Sequence, residues 1–257
     1  MRGKKAQQIA KLALILQLVF VAAVFIVALL KSSLFDSPSS YDLVIANGRV
    51  IDPQTNLDAR KHVGIRDGSI AAISDQPLIG EATIDATDLV VAPGFIDVHS
   101  HTPTVLGQHF NLLDGVTTQL DLEAGAFPVS FYGEHLRSGA AINYGSSVGH
   151  FAVRIKVLEG VDQPYIFAGD KTIVMGSPAW MQQATPDQIE QMRVLINQGL
   201  DKGGLGIGVL LDYMTEAVSD AELRMLFDVA AARQVPIYVH VRRGYTGDPA
   251  GLIEVIE

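Results

Sequence analysis

No cysteine occurs among the 257 residues. That excludes a disulfide framework, a thiolate zinc finger, an iron–sulfur site and a cysteine nucleophile. Any metal must be held by His, Asp, Glu or a modified Lys. Charge is also sparse, at 18% of residues, and it is unevenly spread. Residues 1–31 carry five basic groups (Arg2, Lys4, Lys5, Lys11, Lys31) and no acid. Residues 32–257 carry 14 basic and 28 acidic groups, a net of −14. So acidic a body is a poor partner for nucleic acid. Hydrophobic residues make up 48%, which excludes a disordered or low-complexity chain.

One long apolar run is present. Leu12 to Leu30 is interrupted only by Gln17 and flanked by Lys11 and Lys31. As a helix it would span ~28 Å, close to the hydrocarbon thickness of a bilayer. It is longer than an ordinary signal-peptide core, and no A-x-A-like cleavage site comes after it. The expectation is a signal anchor, with a cleaved signal peptide as the alternative. The basic end stays in the cytoplasm, so the chain beyond Lys31 faces outward, in a bacterium into the periplasm. Cleavage would instead release a secreted chain. Residues 1–31 are thus set apart, with residues 12–30 in the membrane, and residues 32–40 (SSLFDSPSS) read as a polar linker.

From Tyr41 the pattern is one of short strands. Asp42–Ile51 has Asn47-Gly48 between two apolar runs, which predicts a hairpin. His62–Ile65 and Ser69–Ile73 flank a second turn at Asp67-Gly68, and Thr83–Ala92 is further extended chain. Residues 41–92 thus read as a small sheet module. From Pro93 to residue 257 the rhythm changes. Five apolar strands are expected at Phe95–Val98, Val116–Leu122, Ala141–Val148, Leu205–Leu211 and Val235–Val241. Such runs suit a parallel sheet buried on both faces. Thr185-Pro186-Asp187-Gln188 opens one helix, running to about Leu200. Ser219-Asp220-Ala221-Glu222 opens another, to Arg233. Residues 155–184 read as an irregular loop or insertion. A helix is expected after Asp248-Pro249. Strand–helix–strand units in series point to an α/β fold, either a TIM-type barrel or a doubly wound sheet.

The densest chemical signal is Pro93-Gly94-Phe95-Ile96-Asp97-Val98-His99-Ser100-His101. Residues i and i+2 of a strand point the same way, so His99 and His101 would both face the barrel mouth. Two imidazoles there can bind one divalent metal. His150, after Ser147-Val148-Gly149, would sit at the same end, as a substrate or supporting residue or as an ordinary loop histidine. Arg242 would point the same way as His240 if the strand continues. It could grip a substrate carboxylate bidentately or lie in solvent.

These runs resemble the metal-dependent amidohydrolase superfamily. The segments Asn47–Pro53, Val63–Ile73 and PGFIDVHSH carry the match. Asp114–Thr118, Ser147–His150 with Arg154, and Tyr238–Arg242 narrow it to the N-acyl-D-amino-acid deacylase branch, the D-aminoacylases and D-glutamate deacylases. The resemblance implies a TIM-type (β/α)8 barrel with a small β-sandwich module. It implies that His99 and His101 are ligands of the more exposed metal and His240 of the more tightly held one. It implies one or two divalent ions, with zinc the expected metal. In that branch a Cys at the end of the second strand bridges the metals. Ala124 stands there in this chain, and its neighbour Glu123 is the nearby group able to bridge. The fourth strand holds no Lys for the carboxylated bridge used elsewhere in the superfamily.

The implied activity is metal-assisted hydrolysis of a linear amide in a small-molecule N-acyl-D-amino acid, such as N-acyl-D-glutamate. A cyclic-amide hydrolase of the dihydropyrimidinase or dihydroorotase kind is one alternative. A non-catalytic, membrane-tethered binding protein is another. The resemblance also implies a sixth-strand His ligand and a catalytic Asp at the eighth strand. Neither falls within the 257 residues, and about five barrel strands do. The expectation is the N-terminal part of a longer protein, inactive as it stands.

Overall fold

The computed structural model describes residues 40–101, 104–136, 139–165, 176–214, 216–247 and 249–256. The expected apolar span at residues 12–30, and all but Ser40 of the expected linker, lie outside the described residues. Among the described residues no helix is long and apolar enough to cross a membrane. The chain divides into two compact units between Pro93 and Gly94.

The first unit is one mixed sheet built from β1 (Tyr41–Asp52), β2 (Leu57–Arg66), β3 (Ser69–Ser74), β4 (Gly80–Asp85) and β5 (Val90–Val91). β1 pairs antiparallel with β2 and parallel with both β4 and β5. The hairpin at Asp67-Gly68 forms, with both residues at positive φ. The hairpin expected at Asn47-Gly48 does not. β1 runs straight through as a single strand of 12 residues. Asn47 takes φ 65° and the β1–β2 register shifts between Ile45 and Gly48. The same residue types that make a tight turn therefore make a bulge, because β1 has partners along both edges. A Cβ on Gly48 would come within 2.5 Å of Val91 Cγ2.

The second unit is a five-stranded parallel sheet, β6 (Phe95–Asp97), β7 (Val116–Ala126), β8 (Asn143–Gly149), β9 (Ile207–Leu210) and β10 (Ile237–His240). Its strand order is sequential, with β6 and β10 at the edges. Sequential order is that of a barrel segment, and it excludes the doubly wound alternative, whose order reverses. The crossovers carry α1 (Val105–Leu113), α2 (His150–Glu159), α3 (Pro178–Met181), α4 (Pro186–Asp201) and α5 (Asp220–Arg233), and α6 (Ala250–Ile256) comes after β10.

α4 begins as its sequence predicts. Thr185 caps Gln188 N, and Gln188 caps back. α5 begins with Ser219 accepting from Glu222 N. Both lean on the sheet through an apolar core that includes Val148, Met192, Ile196, Ile207, Val209, Leu226 and Val229, all at most 2% exposed. Each such side chain stabilises the fold by about 1.5–3 kcal/mol on burial. The irregular stretch expected at 155–184 is a helix over its first five residues. α2 starts at His150 and ends at Glu159, with Gly160 as a left-handed cap. Its N-cap is Gly149, which offers no side chain to announce the start.

Candidate metal centre

The strands end at one rim, where parallel α/β folds place their chemistry. His99 and His101 lie just past β6. Ser100 N donates to Leu120 O at 3.0 Å, and Tyr132 Oη donates to Ser100 O at 2.9 Å. This clamp buries Ser100 and turns the flanking imidazoles towards each other. His99 Nε2 and His101 Nε2 stand 3.0 Å apart, with the rings edge to face.

β7 brings the third group. From Asp121 to Ala126 it advances five residues while its partner β8 advances two, Ser146 to Val148. The surplus forms a bulge, and Glu123 lies on it. Gly125 turns the bulge at φ +64°. Asp121 Oδ1 holds the bulge from within, accepting from Ala124 N and Gly125 N, each at 3.1 Å.

Glu123 presents one oxygen to each side. Its Oε2 lies 3.0 Å from His99 Nε2 and 3.3 Å from His101 Nε2. Its Oε1 meets His240 Nδ1, brought by the last residue of β10. His99, His101 and Glu123 each offer a ligand atom, and these atoms lie within 4.8 Å of one another. Nitrogen and carboxylate donors at this spacing fit a divalent transition metal such as zinc.

Electrostatics agree with that fit. The hydrogen bond to His101 holds the Glu123 carboxyl down at about 2, against burial that would raise it, with His240 pulling the same way. Burial lowers the His101 pKa, but its bonds to Asp121 and Glu123 outweigh that and hold it up at about 9. Carboxylate and imidazoles this close attract one positive charge, either a proton or a metal ion.

The structure thus brings together four of the residues singled out from sequence: His99, His101, Glu123 and His240. It does not bring the other two. His150 has no exposed surface, so it is not available to touch a substrate. Its Nε2 lies 2.7 Å from Glu222 Oε1, and Glu222 also pairs with Arg154. This buried triad ties α2 to the start of α5. Arg242 donates to Val218 O at 2.6 Å and lies 3.4 Å from Glu254. These contacts engage its guanidinium with the chain itself. Tyr213 is a rim residue that the sequence pattern does not reveal, its ring against His240 at 5.0 Å. Asp121 and Asp212 are likewise inconspicuous in sequence. Asp212 Oδ2 stands 3.9 Å from His240 Nε2. The signal was a lone acid in an apolar strand (VTTQLDL) and another just past one (GVLLD).

No family model matches the chain. An N-acyl-D-glutamate deacylase of Alcaligenes xylosoxydans xylosoxydans is 30% identical over 232 residues, 84% of this chain and 46% of that protein. A D-aminoacylase of the same organism is 27% identical over 213 residues, 71% of this chain and 40% of that protein. The chain is thus similar in sequence to N-acyl-D-amino-acid deacylases. The chain spans less than half the length of those two curated proteins. It also superposes on the zinc-bound N-acyl-D-glutamate deacylase of Bordetella bronchiseptica, crystallised with a phosphonate mimic of the tetrahedral intermediate. That match has a TM-score of 0.65 at 25% identity and covers 85% of this chain and 48% of that one. The parallel sheet of the second unit corresponds to a curled half of the amidohydrolase barrel.

Proposed function

We propose that this chain carries the metal-binding half of a zinc-dependent amide hydrolase acting on N-acyl-D-amino acids, with N-acyl-D-glutamate the leading substrate. One observation carries the reading. His99 Nε2, His101 Nε2 and the Glu123 carboxylate converge at the strand ends, with His240 on the far carboxylate oxygen. His99, His101 and Glu123 Oε2 would hold one ion, and His240 with Glu123 Oε1 would hold a second. Bound metal supplies Lewis acidity towards an amide carbonyl and acidifies a water. The chain's own part is to hold those donors in register, with Glu123 contributing negative charge to both sides. The deacylase relatives support the linear-amide class, and the absence of a Lys from β9 weighs against a cyclic-amide hydrolase.

The test is metal analysis together with hydrolysis assays on the full-length protein. Zinc at one or two ions per chain, lost in Glu123→Ala, and cleavage of N-acetyl-D-glutamate are expected. Turnover of dihydroorotate instead would favour the cyclic-amide class. Zinc without hydrolysis of either would favour a binding protein, and wild-type zinc content in Glu123→Ala would remove Glu123 from the site. The Leu12–Leu30 run supports tethering of this domain outside the cytoplasmic membrane. Cell fractionation checks it: the chain should sediment with membranes and lose that behaviour when residues 1–31 are deleted.

A further inference from the structure

Asp121 lies behind the candidate ligands, two residues before Glu123, with no exposed surface. Every contact around it makes it an acceptor. Its Oδ1 takes the amide protons of Ala124 and Gly125. Its Oδ2 takes the hydroxyl proton of Tyr165 and stands 2.9 Å from His101 Nδ1. An acceptor at that distance requires the proton to sit on His101 Nδ1. Nε2 is then the lone-pair end of the ring. Nε2 is also the atom that faces His99 and Glu123.

We propose that Asp121 is a positioning residue that sets the tautomer and ring orientation of His101, so that Nε2 is presented to metal. The proposal rests on reading the His99–His101–Glu123 cluster as a metal centre. It is confined to His101, because Asp212 is 3.9 Å from His240 Nε2, too far for a hydrogen bond. Asp121 does two things with one side chain. One oxygen shapes the bulge that carries Glu123, and the other orients His101. The bulge and the imidazole therefore move together.

The geometry makes Asp121→Asn a sharp probe. The amide nitrogens of Ala124 and Gly125 need an acceptor, so the Asn oxygen takes the Oδ1 place. The Asn NH2 then falls where Oδ2 was, facing His101 Nδ1. An NH2 donates, so Nδ1 becomes the acceptor and the ring proton moves to Nε2. The metal-facing lone pair is lost although the side chain keeps its shape. This is the wrong-tautomer logic known from buried aspartates behind catalytic histidines.

The experiment measures zinc affinity of the full chain by competition with a chromophoric chelator, together with the melting temperature of the metal-free form. Asp121→Asn should bind zinc roughly 10–100-fold more weakly than wild type. Tyr165→Phe, which disturbs the same buried cluster but leaves the carboxylate facing His101, should stay within about threefold of wild type. In the zinc-loaded wild type, the 15N signals of His101 should show a protonated Nδ1. That signature should be absent in Asp121→Asn. If Asp121→Asn does not fold, Asp121→Ser takes its place with the same expected weakening.

Wild-type affinity in the Asp121 variant overturns the proposal. So does an equal loss in Tyr165→Phe, which would mark general packing rather than tautomer control. The two readings can be told apart. If His99→Ala and His101→Ala abolish zinc binding while Asp121→Asn leaves it intact, only the positioning role falls. If wild type binds no zinc, or those His variants leave binding unchanged, the metal centre falls and the positioning role falls with it.

Discussion

Glu222 shows how one side chain can tie distant parts of the barrel unit together. It has no exposed surface, and it faces His150 Nε2 and the Arg154 guanidinium. Arg154 in turn donates to Ala179 O at 2.7 Å and Ala217 O at 3.1 Å. α2, α3 and α5 thus meet at one buried ion cluster. Replacing Glu222 by Gln leaves a buried guanidinium without its counter-charge, which should destabilise the chain by about 3–5 kcal/mol in urea unfolding at neutral pH. The pH dependence comes from the direction of the Glu222 shift. Burial would raise its pKa, but the bonds and charges of His150 and Arg154 outweigh it and hold it below the ordinary carboxylate value. A lowered folded pKa contributes stability above the unfolded value of about 4.3, and that stability is lost as pH falls through the folded value. Wild-type stability should therefore fall below about pH 4.3, and Glu222→Gln should flatten that limb of the curve. The triad was not legible in sequence. His150 was visible as a histidine after a strand, but its partner lies 72 positions away on another helix.

At the scale of elements, the β7 bulge is what turns a strand into a site. Gly125 stands at φ +64°, and a Cβ there would meet Ser147 Oγ at 2.5 Å and Gly149 N at 2.6 Å. Gly125→Ala combines backbone strain with overpacking, so a loss of about 1–3 kcal/mol is expected in urea unfolding. Zinc affinity should fall as well, because Glu123 rides on the same bulge. A drop in stability with unchanged zinc affinity would show that the bulge does not govern the ligand. Other elements were readable from local chemistry. The Thr185 and Ser219 caps are short-range hydrogen bonds between residues three apart, and sequence displays them directly. α2 was not readable, since a helix capped by Gly149 and carrying Val153, Ile155 and Val157 has strand-like composition. Asn47-Gly48 misled for the opposite reason. Its turn chemistry is real, but β4 and β5 give β1 a second edge of partners, and the chain keeps extending.

For the whole molecule, metal on the two sides of the Glu123 carboxylate, with His99 and His101 on one and His240 on the other, would link the two edge strands of the parallel sheet through β7. Binding only to the folded chain should then stabilise it by about 2.7 kcal/mol when free zinc is 100 times its Kd. Thermal unfolding with and without chelator checks this, and Glu123→Gln should abolish the zinc-dependent shift. The amino-acid sequence by itself determined the apolar strands, the capped helices, the absence of thiolate chemistry and the His-x-His pair, because each depends on neighbours a few residues apart. Tertiary structure alone decided that Glu123 meets His240 across 117 positions and that Asp121 stands behind His101. It also decided that Arg242 and His150 are held by the chain's own groups. The physical reason is that a carboxylate or guanidinium carries no local mark of its partner, and only the packed sheet and helices choose which charge it faces.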